Sequence, residues 1–278
     1  MKFITQLIKQ SLRGYYSSTE IDSFIKIIVR DILGYTLLDL YLDKDIELTL
    51  EQEQKIKEII GRLLRYEPIQ YIAGKVEFYG RNFFVTSGVL VPRPETEELV
   101  DIIIKENKDS APIILDIGTG SGCIAISLFE HLNSPETIGW DISEVALEVA
   151  RKNSDCLRRG IRFEEVNVLD FECEEEKYDL IVSNPPYVME TEKTYMEPNV
   201  LDWEPHGAIF VEDNDPLVFY RVISEKARKM LSENGKIYFE INPLFWWDIE
   251  EMMKKLGYRN IHVIKDLSGK ERFIKADK

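Results

Sequence analysis

From residue 112 to the end of the chain, short apolar runs alternate with amphipathic helical segments, and this alternation constrains the fold more than any other feature. The runs IIL at 113–115 and LIV at 180–182 are apolar on both faces, as strands covered by helices on both sides are. We therefore predict an α/β domain with a mostly parallel sheet. The two final strand signals, at 258–266 and 272–278, have no helix between them and predict an antiparallel hairpin at one edge.

The first 74 residues have a different pattern, with apolar residues at helical spacing and almost no strand signal. Ser17 with Glu20 and Thr49 with Gln52 have capping-box spacing ahead of apolar runs. We predict a helical N-terminal domain of four or five helices over 1–74, a β-hairpin linker over 75–95, and the α/β domain over 96–278. Two-domain organisation suits a chain of 278 residues.

Composition excludes several classes of function. Fifty acidic and 35 basic residues leave a formal charge of −15, which repels a nucleic-acid backbone, so we expect no direct binding of free nucleic acid. No signal-peptide pattern or membrane-length apolar stretch is evident. The three cysteines and three histidines are scattered without ligand spacing, so we expect no disulfide framework and no metal site. These features predict a cytoplasmic protein without a membrane partner.

A glycine-rich loop follows the first strand of the α/β pattern, in the segment Asp116-Ile117-Gly118-Thr119-Gly120-Ser121-Gly122. Glycines at this position let the chain turn sharply and let a ligand approach the backbone. Their spacing differs from the G-x-G-x-x-G pattern of a dinucleotide site and resembles the first motif of class I S-adenosylmethionine-dependent methyltransferases. Asp141 ends the next strand, where a carboxylate can bind both ribose hydroxyls, although it could instead flank the helix that opens at Ser143.

The fourth strand runs into Asn184-Pro185-Pro186-Tyr187, at the strand end where open α/β sheets bind their ligands. A planar NH2 group needs acceptors for both hydrogens before its nitrogen can attack a methyl group. The Asn184 side-chain oxygen and the Pro185 carbonyl oxygen could supply them, and Tyr187 could stack on the flat substrate. The pattern predicts methylation of a planar nitrogen, in either a protein glutamine or a nucleic-acid base.

Seven segments make the whole chain similar to the HemK (PrmC) family, the bacterial protein-(glutamine-N5) methyltransferases of class I peptide chain release factors. They are EPIQYIAGKVEFYG, VLVPRPETEEL, DIGTGSGCIAISL, DISEVALEVARKN, IVSNPPYV, FYRVI and DLSGKERF. The stretch from QYI to PRPETEE discriminates this family from adenine methyltransferases with an NPPY turn.

The resemblance implies a class I, Rossmann-like methyltransferase domain that uses S-adenosyl-L-methionine, releases S-adenosyl-L-homocysteine and modifies the GGQ glutamine of a release factor. It implies cofactor contacts from Gly118, Thr119, Gly120, Ser121, Gly122, Asp141 and Asn184, with Asp170 and Phe171 beside the adenine. Asn184, Pro185, Pro186 and Tyr187 would grip the glutamine amide. Arg93, Glu95 and Thr96 either border the same cleft or form a helix cap with an exposed charge.

The chain departs from the usual family pattern at residues 211–218, which lack a glycine, and at Asn242, where glycine is common. We predict that the adjacent Trp246 and Trp247 pack their helix against the sheet, with a partner contact as the alternative. Two other functions stay open on the residues. One is a nucleic-acid adenine-N6 or cytosine-N4 methyltransferase, which a basic recognition segment would favour. The other is a non-catalytic adaptor, which loss of Asn184 or of the glycine loop would favour.

Overall fold

The chain forms two compact units, seen in a computed structural model that describes residues 1–42, 48–132, 136–155, 161–172 and 178–278. One unit comprises Met1–Val76 with Glu197–Trp203, and the other comprises Glu77–Met196 with Glu204–Lys278. The sequence places the first boundary at residue 74 and contains no signal that 197–203 belongs with the N-terminal helices. Cys156 and Cys173, for which we expect no disulfide partner, lie outside the described residues.

The first unit is helical in its described part. Its elements are α1 (Lys2–Leu12), α2 (Ser18–Ile27), a π-helical turn (Ile28–Ile32), α3 (Leu37–Tyr41), α4 (Leu50–Leu63) and α5 (Ile69–Ala73). Isoleucine and leucine side chains at helical spacing form its core, including Ile4, Ile8, Leu12, Ile28, Ile56 and Leu63. No described helix in either unit is both long and apolar enough to cross a membrane.

Three capping boxes begin helices in this unit. Ser17 caps α2 with Glu20, and Thr49 caps α4 with Gln52, which confirms the two boxes predicted from sequence. A third box, formed by Thr36 and Asp39, begins α3. Each box satisfies backbone N–H groups that the first helical turn leaves without partners.

The second unit contains an α/β sheet and its helices. After the hairpin strands β1 (Lys75–Phe78) and β2 (Arg81–Phe84) come α6 (Pro94–Asn107), β3 (Ile114–Ile117), α7 (Cys123–His131), β4 (Thr137–Asp141), α8 (Glu144–Ser154), β5 (Arg162–Glu165), β6 (Tyr178–Ser183) and β7 (Val188–Met189). The short helix α9 (Pro198–Leu201) belongs to the first unit. The chain continues through β8 (Phe210–Val211), α10 (Val218–Met230), β9 (Leu231–Glu240), α11 (Trp246–Lys255), β10 (Arg259–Lys265) and β11 (Glu271–Asp277).

The main sheet has seven strands in the order β10-β11-β9-β6-β3-β4-β5. Strands β5, β4, β3, β6 and β9 are parallel, whereas β11 pairs antiparallel with both β9 and β10. The antiparallel edge hairpin predicted from sequence is therefore confirmed. Ile117 of β3 lies beside Trp140 of β4 and Ser183 of β6, so these three strands end at the same edge.

Helices cover both faces of this sheet. Alternate strand residues such as Leu115, Ile181 and Phe239 pack with α10 and α11 in one large core cluster. Tyr238 faces the opposite side, where its hydroxyl donates to Glu106 of α6 at 2.9 Å. Trp246 packs against the core cluster as predicted, but Trp247 is 56% exposed, so the packing prediction is wrong for that residue. It lies on the outer side of α11 because the sheet already covers the opposite side.

Helix α6 begins at Pro94. Proline fits the first helical position because the N–H that it lacks would have no intrahelical acceptor there. Glu95 and Glu97 follow in the first turn, where the helix dipole favours negative charge. The helix start thus places Thr96 in the first turn of the helix, where its side chain is buried.

Asp116, near the end of β3, holds the glycine loop by hydrogen bonds. Its Oδ2 atom accepts hydrogen bonds from the Thr119 hydroxyl at 2.7 Å and the Ala125 N–H at 3.2 Å. Its Oδ1 atom is buried without a partner among the described residues. Burial raises the pKa of this carboxyl from 3.8 to about 7, because the ionised form has lost its water and gained no cation.

We expect the Asp116→Asn variant to lose a pH dependence of stability that the native chain has. The unfolded carboxyl releases its proton near its ordinary pKa of 3.8, whereas the folded one keeps it up to about pH 7. The stabilisation is therefore complete below the lower pKa and is lost as the pH rises through the higher one. Urea unfolding without ligand should show the free energy of unfolding of the native chain falling by about 3 kcal/mol from about pH 5 to about pH 8, relative to the variant.

The exposed-site variant Asp109→Asn serves as a control and should keep the native pH dependence. Parallel pH curves for the native chain and Asp116→Asn would contradict this account of the buried carboxyl.

Gly139 in the middle of β4 predicts a second stability difference. A Cβ there would lie 2.7 Å from the Phe163 ring and 2.8 Å from the Thr119 hydroxyl oxygen. We expect Gly139→Ala to lower the free energy of unfolding by about 1–3 kcal/mol, the usual effect of overpacking a core. Gly61→Ala, in helix α4 with nothing within 4 Å, should instead raise it by up to about 1 kcal/mol. Equal urea midpoints for the two variants would contradict the close packing around β4.

Candidate active site

A cavity of about 410 Å³ opens at the edge where the parallel strands end. This volume lies in the range of small-ligand sites. Loops after β3, β4, β5 and β6 form most of its wall, together with the segment before α6 and part of α10. The lining residues include Gly118–Ser121, Asp141–Ser143, Val166–Leu169, Ser183–Pro186, Gly88–Leu90, Pro92, Arg93, Thr96, Pro205, Gly207, Ala208, Phe219 and Ile223.

The glycine loop lies on the cavity wall in a backbone conformation that favours glycine. Gly118 and Gly120 have φ values of +75° and +55°. A Cβ on Gly120 would have nothing within 4 Å, so its surface faces open space. Ser121 also lines the cavity, but its hydroxyl is buried away from it and has no hydrogen-bond partner among the described residues. The loop therefore offers a bare backbone surface to a ligand.

Asp141 holds the glycine loop and still has capacity to bind a ligand. Its Oδ2 atom accepts the Gly120 N–H and its Oδ1 atom accepts the Ser143 N–H, both at 2.9 Å. Each carboxylate oxygen can accept a second hydrogen bond. Burial raises the pKa of Asp141, and the backbone N–H groups oppose that rise. The two interpretations of Asp141 in the sequence are thus compatible, because it flanks the Ser143 helix and also lines the cavity.

The segment after β5 contributes to the cavity wall at residues 166–169. Asp170 and Phe171, which we predict to lie beside the adenine, are not among the lining residues. Asp170 Oδ2 accepts a hydrogen bond from Asn167 at 2.5 Å, and the Phe171 ring packs 4.7 Å from that of Trp140. The apolar wall in this region comes from Val168 and Leu169, together with Ile142, whose side chain is 63% exposed.

The turn after β6 brings hydrogen-bond acceptors to the cavity wall. The Asn184 Nδ2 atom donates to the Thr96 hydroxyl oxygen at 3.3 Å. The Asn184 Oδ1 atom and the Pro185 carbonyl oxygen accept no hydrogen bond from any residue that the structure describes. Because two prolines follow Asn184, the turn is stiff and contributes no N–H of its own at those positions.

Tyr187 lies behind this turn rather than on the cavity wall. Its hydroxyl donates to Glu240 at 3.0 Å, and its ring packs against the core cluster of the sheet. Burial and the neighbouring Glu240 raise the pKa of Tyr187 well above its ordinary value. The structure thus brings Asn184, Pro185 and Pro186 to the cavity but places Tyr187 in a supporting position.

Asn242, one of the departures from the usual pattern, supports the same turn. Its Nδ2 atom donates to the Tyr187 carbonyl oxygen at 3.0 Å and to Glu192 at 3.1 Å. A glycine could make neither bond. Asn242 lies two residues after the end of β9, at the same sheet edge as the turn, and this position is the signal from which its role could have been predicted.

The segment before α6 also reaches the cavity. Arg93 and Thr96 line it, whereas Glu95 does not. Arg93 donates to the buried Glu204 at 2.6 Å, and the Val91 N–H donates to the same carboxylate at 3.1 Å. Sequence reasoning missed Glu204, because a buried acid that pairs 111 residues away leaves no local pattern.

S-adenosylmethionine carries an adenine, a ribose diol and a charged amino-acid end, and the residues present fit these groups. The exposed Ile142 and the neighbouring Leu169 supply an apolar wall for a flat ring. Asp141 has acceptor capacity for the diol. The bare backbone of the glycine loop suits the polar end.

Comparisons with known proteins identify the family of this chain. A family model described as a methyltransferase domain matches residues 108–263, and one described as the PrmC N-terminal domain matches residues 5–74. A release factor glutamine methyltransferase of Bacteroides thetaiotaomicron is 51% identical over the full length of both chains. Another, from Flavobacterium psychrophilum, is 43% identical over 98% of this chain and 97% of its own.

A crystal structure of a methyltransferase from Pyrococcus furiosus has a TM-score of 0.53 with 19% identity, covering 83% of this chain and 99% of that one. At this identity the likeness shows the fold alone. The fold is therefore the class I, Rossmann-like methyltransferase fold that the sequence predicts. Together with the full-length identity to curated relatives, it establishes that this chain belongs to the release factor glutamine methyltransferase family.

Proposed function

We propose that this protein transfers a methyl group from S-adenosylmethionine to the side-chain amide nitrogen of the GGQ glutamine in class I peptide chain release factors. The observation that carries the proposal is a pair of acceptors from two residues of the cavity wall, Asn184 Oδ1 and the Pro185 carbonyl oxygen, that have no donor among the described residues. The names of the relatives support the same substrate. Because release factors act on ribosomes, the proposal places the enzyme in the cytoplasm.

The two acceptors suit the chemistry of an amide nitrogen. Its lone pair is delocalised into the carbonyl group, so the nitrogen is a poor nucleophile until it is oriented. Hydrogen bonds from its two N–H groups to Asn184 and Pro185 would hold it in place and favour localisation of the lone pair. The N–H groups become more acidic as the nitrogen acquires positive charge, so one proton can leave after the new bond has formed. A strong base is not required at this step.

S-adenosylmethionine supplies an electrophilic methyl group on a positively charged sulfur and leaves as S-adenosylhomocysteine. We propose that Asp141 accepts the ribose hydroxyls and that Gly118, Gly120 and Ser121 hold the amino-acid end. Gly122 turns the chain into α7, with Ala150 and Phe163 packed against it. We infer that the adenine is contacted by Ile142 and Leu169 rather than by Asp170 and Phe171.

Methylation of a nucleic-acid base would use the same acceptors but needs a basic surface for phosphates. Arg93 is the only cationic side chain among the described residues that line the cavity, and it is paired with Glu204. The net charge of −15 also opposes a phosphate backbone. A protein substrate is therefore favoured, and the intact acceptor turn favours catalysis over an adaptor role.

Incubation with S-adenosylmethionine carrying a labelled methyl group and a purified class I release factor tests this proposal directly. We expect label on the GGQ glutamine, located by peptide mass spectrometry, and none on a release factor whose glutamine is replaced by asparagine. Parallel reactions with DNA and RNA control for the alternative. Label on nucleic acid but not on the release factor would overturn the proposal.

The variant Asn184→Ala should lower the turnover number by at least about 100-fold, because one of the two acceptors that orient the amide is removed. Cofactor affinity, measured by titration calorimetry, should fall by less than about tenfold, since the glycine loop and Asp141 stay intact. A turnover number within about twofold of the native enzyme would refute the role of Asn184.

A further inference from the structure

The acceptor role of Asn184 depends on which way its side-chain amide faces. An amide has an oxygen on one side and an NH2 group on the other, with nearly the same shape. With the oxygen toward the substrate, Asn184 accepts a hydrogen bond from the glutamine NH2. With the NH2 group toward the substrate, two donors face each other and the substrate nitrogen loses a partner. Some feature of the site must therefore select one orientation.

A chain of buried hydrogen bonds runs from Asn184 into the protein. The Thr96 hydroxyl donates to Glu240 Oε2 at 2.7 Å, and Tyr187 donates to Glu240 Oε1 at 3.0 Å. Thr96 and Glu240 are only 3% and 2% exposed, so water has little access to either group. Thr96 lies in α6 and Glu240 at the end of β9, so the chain joins elements on both sides of the turn.

The hydrogen bonds in this series all run in one direction, from donor to acceptor toward Glu240. An ionised carboxylate accepts hydrogen bonds and cannot donate. Since Thr96 has a single hydroxyl hydrogen and directs it to Glu240, its oxygen can only accept from Asn184. The Asn184 NH2 group must therefore face Thr96, and its Oδ1 atom is left without a partner among the described residues. Both hydroxyl groups donate to Glu240, so its two oxygens act as acceptors. Burial raises the pKa of Glu240, and the hydrogen bonds from Thr96 and Tyr187 and the charge of Arg272 oppose that rise.

We propose that Thr96 and Glu240 are positioning residues that fix the Asn184 amide with its oxygen toward the substrate nitrogen, and thereby select an NH2-bearing substrate group. This inference rests on the proposed function, because it assigns the preference for glutamine over glutamate to the direction of the hydrogen-bond chain. Glu240 acts through Thr96, and Thr96 acts through Asn184.

Three variants test this series of hydrogen bonds. Thr96→Val keeps the shape of the side chain but removes the hydroxyl, Thr96→Ser keeps the hydroxyl, and Glu240→Gln introduces a donor where an acceptor stood. At saturating cofactor and release factor, we expect Thr96→Val to lower the methylation rate about tenfold, with Thr96→Ser within about threefold of native. Glu240→Gln should also lower the rate. The glutamine NH2 group can donate to the Thr96 oxygen, and the Thr96 hydroxyl can then donate to Asn184 instead of accepting from it.

Substrate selectivity separates orientation from a general loss of structure. A release factor with glutamate in place of the GGQ glutamine presents acceptors rather than an NH2 group. The ratio of its affinity to that of the GGQ factor should rise at least about threefold in Thr96→Val and Glu240→Gln, because a reoriented Asn184 donates to a carboxylate. Melting temperatures and cofactor affinities of the variants report any folding defect. If the rate falls but the ratio of the two affinities does not change, both residues have only a structural role and the inference is wrong.

The orientation can also be measured without any reaction, in the native protein free of ligand. Nuclear magnetic resonance should detect magnetisation transfer between the Asn184 side-chain NH2 protons and the Thr96 methyl group, with Asn184→Asp identifying the NH2 signals. Absence of that transfer would overturn the inference even if the release factor is methylated. If transfer is present but no release factor is methylated, the proposed substrate fails while the orientation of Asn184 stands.

Discussion

The parallel pairing of β3 with β4 and β6 is the constraint on which the rest of the site depends. Backbone hydrogen bonds hold Ile117 beside Trp140 and Ser183, so three chain segments leave the sheet at one edge. Asp141 is the last residue of β4, and the glycine loop and the Asn184 turn begin directly after β3 and β6. Residues more than 60 positions apart therefore meet around one cavity because the strands that precede them are paired.

Buried carboxyl groups organise this edge. Asp116 and Glu240 accept hydrogen bonds from hydroxyl groups, and Glu204 pairs with Arg93 and the Val91 N–H. Burial of a carboxylate costs free energy unless hydrogen-bond donors surround it. Each buried carboxyl group therefore restricts the positions of the donors around it. One oxygen of Asp116 has no partner among the described residues, and burial raises the pKa of this carboxyl. The stability of the fold and the geometry of the cavity thus rest on the same polar groups.

Local patterns predicted much of this structure. The capping boxes at Ser17 and Thr49, the cap at Ser143 and the alternation of strands and helices all involve neighbours in sequence, so their signals are short-range. Other features needed the three-dimensional structure. The pairing of Arg93 with Glu204 and the packing of Tyr187 against the core join residues far apart in the chain, and Trp247 is exposed because of how α11 lies on the sheet.

The sequence by itself determined the fold class, the glycine loop, the acceptor turn and the family, because each is carried by a run of neighbouring residues. Tertiary structure decided which of those residues reach the cavity. It places Asn184 and Pro185 on the wall and Tyr187 behind it, and it joins Thr96 to Glu240 across 144 positions. The physical reason is that a hydrogen bond depends on distance and direction in space, and residues so far apart acquire these only when the helices have packed on the sheet.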